Sequence, residues 1–172
     1  MKPLPPVRLD EVSEADAAGL IRCNLASRAH HHPWATPFID RPGFLAWFDR
    51  ITEGALVARI ARAAECGTVV GVITLGGILR GPFQNAYLGY YGMAGCGGRG
   101  LMTAGVGAMC RLAFQELGLH RLEANIQPGN AASIRLATRI GFRLEGFSPR
   151  YLQIDGVWQD HERYALLADE IR

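Results

Sequence analysis

Four of the six residues in Gly95-Cys96-Gly97-Gly98-Arg99-Gly100 are glycine, and an apolar run with helical spacing follows at once. Met102, Val106, Met109, Ala113 and Leu117 share one helical face, and Gly118 is placed to end that helix. The segment before the loop, Asn85 to Met93, reads as a strand carrying Tyr87, Tyr90 and Tyr91. A glycine loop between a strand and a helix presents free N–H groups at the positive end of a helix dipole. That is an anion site, suited to a phosphate or pyrophosphate. Glycine serves there because a side chain would block close approach of the backbone, and Arg99 adds positive charge. On the loop alone, a glycine-rich turn without a ligand is an equal alternative. The Walker A pattern is absent, since no Gly-Lys-Ser/Thr follows. Gly95-x-Gly97-x-x-Gly100 matches the letters of the dinucleotide fingerprint, but as a solitary match.

The rest of the chain alternates strands and helices. Val7–Leu9 reads as a strand, and Ser13 as the cap of a helix from Glu14 to about Arg28, with Glu14 and Asp16 in its first turn. His30-His31-His32-Pro33-Trp34 breaks that helix, and Pro42 opens a second one through Trp47 and Phe48. Ala55–Ala61 and Thr68–Leu75 form a hairpin about Glu65-Cys66-Gly67. Arg121–Gln127 is a strand, Pro128-Gly129 a turn, and Asn130 caps a helix carrying Ile134, Ala137 and Ile140, which Gly141 closes. Phe142–Ile154 and Val157–Leu167 form a last hairpin about Asp155-Gly156, a pair that favours a primed turn. No repeat or linker intervenes, so the expectation is one α/β (α+β) domain over residues 1–172.

Composition narrows the class. The 172 residues are 49% hydrophobic and 20% charged, with 18 Lys plus Arg against 16 Asp plus Glu. That is ordinary globular composition, and a formal +2 predicts no nucleic-acid or membrane partner. The uncharged, Val- and Ile-rich stretch Gly67–Leu79 is too short for a span. Met1–Pro6 has no apolar leader core. Cys23, Cys66, Cys96 and Cys110 lack metal-ligand spacing, which predicts free thiols, a cytoplasmic protein and no metal.

Gly98-Arg99-Gly100-Leu101-Met102-Thr103 after a strand resembles the acetyl-CoA motif of the Gcn5-related N-acetyltransferases (GNAT). Further matches are Arg121-Leu-Glu-Ala-Asn-Ile126, Pro128-Gly-Asn130-Ala-Ala-Ser133, Ile140-Gly141-Phe142, Glu145-Gly146-Phe147 and Tyr151 through His161. With Asn24, His31 and Pro33-Trp34, they resemble the Rim-type branch, which acetylates N-terminal amines of ribosomal proteins. The resemblance implies a central mixed, splayed sheet flanked by helices, with acetyl-CoA as co-substrate. Its pyrophosphate would lie on Gly98, Arg99, Gly100, Leu101, Met102 and Thr103, its pantetheine arm beside Tyr91, Gly92 and Met93. Asn130 and Ser133 would flank the thioester. Three positions depart from relatives: Gly95 stands for Gln or Arg, Ala104 for Glu, and Ala137 for a tyrosine that protonates the leaving thiolate. Ser133 is the hydroxyl left to do so.

Acyl transfer needs a neutral amine. An α-amine, with a reference pKa near 8, supplies a useful neutral fraction at physiological pH, whereas a lysine near 10.4 does not. No carboxylate lies between Asn85 and Met93. Glu123 is the nearest base by sequence, or a solvent-facing strand residue. Direct attack with proton loss through water is the other route. His30, His31 and His32 are adjacent and converge poorly on one ion; a substrate-side loop or an inert loop fits them better. Cys96 has no identifiable base beside it and reads as a small loop residue. Trp34, Phe38, Phe44 and Trp47 are core aromatics or a peptide groove. Trp158, Asp160 and His161 alternate on the closing hairpin.

The expected function is therefore acetylation of a protein or peptide N-terminus, with a ribosomal protein favoured and His31, Trp34 and Trp158 selecting the first side chain. Alternatives are an enzyme for a small amine, such as an antibiotic or polyamine, and an acyl-CoA-binding module without catalysis. A monomer or homodimer is expected.

Overall fold

The computed structural model describes residues 4–171; the reading of Met1–Pro6 falls in part outside them. Seven strands alternate with helices: β1 (Val7–Glu11), α1 (Ala17–Ala26), α2 (Arg28–His31), α3 (Arg41–Thr52), β2 (Leu56–Ala63), β3 (Val69–Leu79), β4 (Asn85–Gly92), α4 (Leu101–Gln115), β5 (Arg121–Ile126), α5 (Ala131–Ile140), β6 (Arg143–Ile154) and β7 (Val157–Leu167). They form one mixed sheet in the order β1-β2-β3-β4-β5-β7-β6. Among the described residues only β4 and β5 run parallel, and the helix α4 provides their crossover. The expected mixed, splayed sheet is present.

The splay is visible in the register. β4 pairs with β5 only over Asn85–Arg121, Ala86–Leu122 and Tyr87–Glu123. Beyond those pairs β4 continues along β3 as far as Gly71–Gly92, while β5 continues along β7 to Ile126–Glu162. The facing edges of β4 and β5 therefore part after Tyr87, leaving main-chain N–H and C=O groups between them.

Strand alternation decides which helices cover each face. Leu122, Ala124 and Ile126 are buried and belong to the core shared with Val106, Met109 and Cys110 of α4. Tyr90 points the same way and reaches α5, whereas Tyr91 packs edge-on against His31 of α2 on the opposite face. α4 lies close on the sheet because Gly105 has no side chain: a Cβ there would lie 3.1 Å from the Ala61 Cβ and 3.2 Å from the Ile73 Cδ1.

Several boundaries differ from the sequence expectations. The helix expected from Glu14 to Arg28 is divided into a 3₁₀ turn at Glu14–Asp16, then α1 and α2. Asp16 both carries the capping box with Ser13 and bonds Arg62, which fixes that turn against β2. The chain also stays helical through His31, and the break falls at the cis His32–Pro33 bond. Leu117 lies past the end of α4. Asp40 caps α3 by accepting from the Gly43 N–H at 2.8 Å, and Asp155 and Gly156 both take positive φ in the primed turn.

Candidate active site

The glycine loop opens where β4 loses its β5 partner. Gly95, Gly98 and Gly100 have φ of +79°, +74° and +78°, the left-handed region that favours glycine. A Cβ at Gly95, Gly97 or Gly98 would meet nothing within 4 Å, so the outer surface of the loop is open. Two internal ties hold its shape. The Arg99 Nη2 donates to the Gly95 carbonyl at 3.2 Å, and Cys96 is buried with its Sγ 3.7 Å from the Val69 carbonyl. Cys96 is thus an anchor of the loop, as a small loop residue should be.

α4 begins directly after Gly100. Its first i→i−4 bond of the helix start runs from the Ala104 N–H to the Gly100 carbonyl at 2.9 Å, so the N–H groups of Leu101, Met102 and Thr103 precede it. No acidic residue stands in that first turn. The side chains of Leu101 and Thr103 are buried, and Met102 packs on β3 and β4. A Cβ at Gly71 would lie 2.5 Å from the Met102 Sδ. The anion-binding capacity of these residues is therefore a main-chain property.

The strand end expected beside the pantetheine arm is firmly held. The Met93 N–H donates to the Val70 carbonyl at 2.8 Å, and the Gly92 carbonyl faces the His31 Nε2 at 2.9 Å. That pairing requires the Nε2 to carry the proton. His31 is 5% exposed, and burial holds its imidazole below the usual histidine pKa, the bond to Gly92 opposing that shift. Its immediate neighbour is therefore the strand end. Tyr91 turns its ring to His31, so along the cleft it offers only main chain.

A second helix start, that of α5, is tied to β4 across the splay. Asn130 Oδ1 accepts from the Ser133 N–H at 3.1 Å and caps α5. The Ser133 hydroxyl has no hydrogen-bond partner among the described residues. Tyr90, from β4, donates its hydroxyl to the Ser133 carbonyl at 3.3 Å, and burial pushes that phenol up to about 12. Ala137, one turn on, is 1% exposed and belongs to the core. Trp34 lies beside the same turn: its ring carbon would be 3.0 Å from a Cβ at Gly129, and its carbonyl accepts from Gln127 at 3.4 Å. Trp34, Asn130 and Ser133 thus come together, whereas Trp158 stands 58% exposed on the outer hairpin, paired with Gln153.

On the other face a pocket of about 300 Å³ lies beneath the splay, lined by Trp47 and Arg50 of α3, Thr74 and Gly76 of β3, Tyr87 and Gly89 of β4, and Asn125 of β5. Asn125 Oδ1 is buried without a hydrogen-bond partner. The Tyr151 phenol beside Tyr87 raises the Tyr87 pKa, with burial acting in the same direction. Sequence reasoning missed this pocket, apart from Trp47, because its lining comes from separate parts of the chain. Glu123 is on the pocket-side face of β5 but is committed to Arg121, whose Nε lies 2.8 Å away. Arg121 also pairs with Glu145, and Arg143 with Glu145 and Glu170. The described residues hold no group of three or more His, Cys, Asp or Glu that could bind a metal, and no helix long and apolar enough to cross a membrane.

A loop and two helix starts around parted parallel strands, with a pocket behind, form a site for an anionic, extended ligand meeting a second molecule. Comparison with known proteins gives the same architecture. The chain is 39% identical over 98 residues to the [ribosomal protein uS5]-alanine N-acetyltransferase of Escherichia coli, covering 57% of this chain and 50% of that protein. It is 32% identical over 133 residues, 74% of each chain, to an L-methionine sulfoximine/L-methionine sulfone acetyltransferase of Pseudomonas aeruginosa. The structure of Mycobacterium smegmatis RimJ in complex with CoA-disulfide matches with a TM-score of 0.85 at 29% identity, over 96% of this chain and 84% of that one. The chain spans about half the length of the curated relatives it matches at 39% identity. The family model for the acetyltransferase (GNAT) domain matches residues 7–143, and the chain belongs to that family.

Proposed function

We propose that the 172 residues form one acetyl-CoA-dependent N-acetyltransferase domain whose acceptor is the N-terminal α-amine of a polypeptide, a ribosomal protein being the favoured case. The carrying observation is the parted β4–β5 edge, flanked by two helix N-termini and backed by the pocket. Residues 98–103 offer main-chain donors to a pyrophosphate. The free edge of β4 suits the amides of a pantetheine arm, and Asn130 and Ser133 stand where the thioester would end. The amine attacks the thioester carbon directly in a ternary complex, and the Ser133 hydroxyl donates to the departing sulfur. Trp34 lies beside that end; His31 acts through the strand end it braces, and Trp158 contributes from the outer hairpin.

The pocket favours a polypeptide over a polyamine. Its lining includes the Arg50 cation and, among the described residues, no carboxylate. A polyamine carries several positive charges and needs acidic partners, whereas a chain terminus offers backbone carbonyls to Arg50 and N–H groups to Asn125 Oδ1.

The test is a pair of matched peptides, one with a free N-terminus and its lysine blocked, the other reversed, set beside spermidine and a small aminoglycoside. At pH 7 an amine of pKa near 8 is about 10% neutral and one near 10.4 below about 0.1%. The first peptide should react fastest, with CoA released in step. Faster reaction of the lysine peptide or of spermidine would overturn the reading.

A further inference from the structure

His161 is 3% exposed and plays no part in the site described above. Its Nδ1 lies 2.9 Å from the Gln159 carbonyl. A carbonyl oxygen only accepts, so in the neutral ring Nδ1 carries the hydrogen and Nε2 keeps its lone pair. Among the described residues Nε2 has no hydrogen-bond partner. The backbone therefore holds a buried imidazole in the one tautomer that leaves the Nε2 lone pair unbonded.

Its place in the sheet points to a use. Asn125 pairs with Arg163 and Ser148 with His161, so His161 lies two residues along β7 from the partner of the pocket-lining Asn125, on the same face. That is the level at which β5 ends, at Ile126, and leads into the turn before Asn130. The rings of His161 and Tyr151 are 6.2 Å apart, and Tyr151 neighbours Tyr87 of the pocket. The other charged or titratable groups on this face are Arg163 on β7, Glu123 and Arg121 on β5, Arg143, Glu145 and Tyr151 on β6, Tyr87 on β4 and Arg50 on α3. The carboxylates among them, Glu123 and Glu145, are both held by Arg121.

We infer that His161 is the base of the transfer, taking the proton of the attacking amine on Nε2. The amine lone pair forms the C–N bond to the thioester carbon, and an N–H proton passes to Nε2. The tetrahedral intermediate then breaks its C–S bond, the electron pair leaves on sulfur, and the thiolate takes a proton from Ser133 or solvent. The imidazolium returns its proton to water, so one amine and one thioester give one amide and one thiol. This inference rests on the transferase reading but not on the acceptor class. The acceptor in the test is therefore whichever one the wild-type enzyme acetylates fastest.

His161→Asn keeps a donor near the Nδ1 position for the Gln159 carbonyl, and His161→Gln keeps the side-chain length. Circular dichroism and CoA titration establish that each variant folds and binds cofactor as wild type does. On the acid limb, where the amine and the imidazole are both protonated, log(kcat/KM) for the wild type should rise with a slope of two, because both must be neutral to react. In both variants the slope should be one, and kcat/KM at pH 7 should fall by about 10²-fold or more. A slope of two in the variants would assign the second proton elsewhere, His31 being the other buried imidazole. That result, or loss of activity under threefold, overturns the inference.

Discussion

Replacing Gly98 by alanine separates loop conformation from ligand approach. Gly98 sits at φ +74°, and a Cβ there meets nothing within 4 Å. The methyl group therefore costs no internal contact, and the whole intramolecular penalty is the left-handed backbone, about 1–2 kcal/mol for an L-residue. A chain of this size should lose a few degrees of Tm, at about 2–4 °C per kcal/mol. The methyl group also stands on the open side of the loop, where the pyrophosphate must approach. CoA affinity should fall at least tenfold, equivalent to about 1.4 kcal/mol. Calorimetric titration with CoA, beside a thermal melt, measures both effects. Gly97→Ala is the conformational control, since Gly97 has neither positive φ nor a close neighbour, and its Tm should not move. Gly100→Val is the less clean probe, because a Cβ at Gly100 also lies 3.2 Å from the Leu4 Cδ2. An unchanged CoA Kd in folded Gly98→Ala would show that this face of the loop does not meet the cofactor, and the assignment of residues 98–103 would fall.

Three further outcomes are expected. Ser133→Ala should leave the melt unchanged, since the Ser133 hydroxyl makes no bond within the described protein. It should lower kcat by about 10²-fold or less, read in single-turnover CoA release, because a thiolate is already a fair leaving group. Arg50→Glu should raise KM for the acceptor severalfold without altering CoA affinity, measured by steady-state kinetics and calorimetry. His31 binds its proton more weakly folded than unfolded, so the unfolded chain takes up more protons as pH falls. Stability should therefore be full above about pH 6.5 and decline below it; melts of wild type against His31→Gln between pH 7.5 and 5 should show a shallower decline in the variant.

The sequence carried the local structure well where short-range chemistry decides it. Asn130 caps its helix, Gly118 and Asp155-Gly156 turn the chain, and the glycine loop ends on Gly100, all through side-chain or φ requirements within a few residues. The 3₁₀ turn at Glu14–Asp16 escaped because the Asp16 partner, Arg62, is 46 residues away. The helical run through His30 and His31 escaped because His31 finds the Gly92 carbonyl 61 residues on. The divergence of β4 from β5 was available only through family resemblance, since alternating apolar residues say nothing about where a ladder stops. The acceptor pocket was hidden for the same reason: Trp47, Tyr87 and Asn125 become neighbours only when α3, β4 and β5 are assembled.

The short β4–β5 ladder has a consequence for turnover. If the parted strand edge holds the cofactor along its length, the spent carrier leaves with nearly every contact the loaded one made. The loop meets the same pyrophosphate, β4 meets the same amides, and only a two-carbon acyl group has gone. Such a groove discriminates weakly between what it consumes and what it discards. Free CoA would therefore compete with acetyl-CoA at similar concentrations, and the ratio of the two in the surroundings, rather than the amount of either, would set how fast the enzyme works.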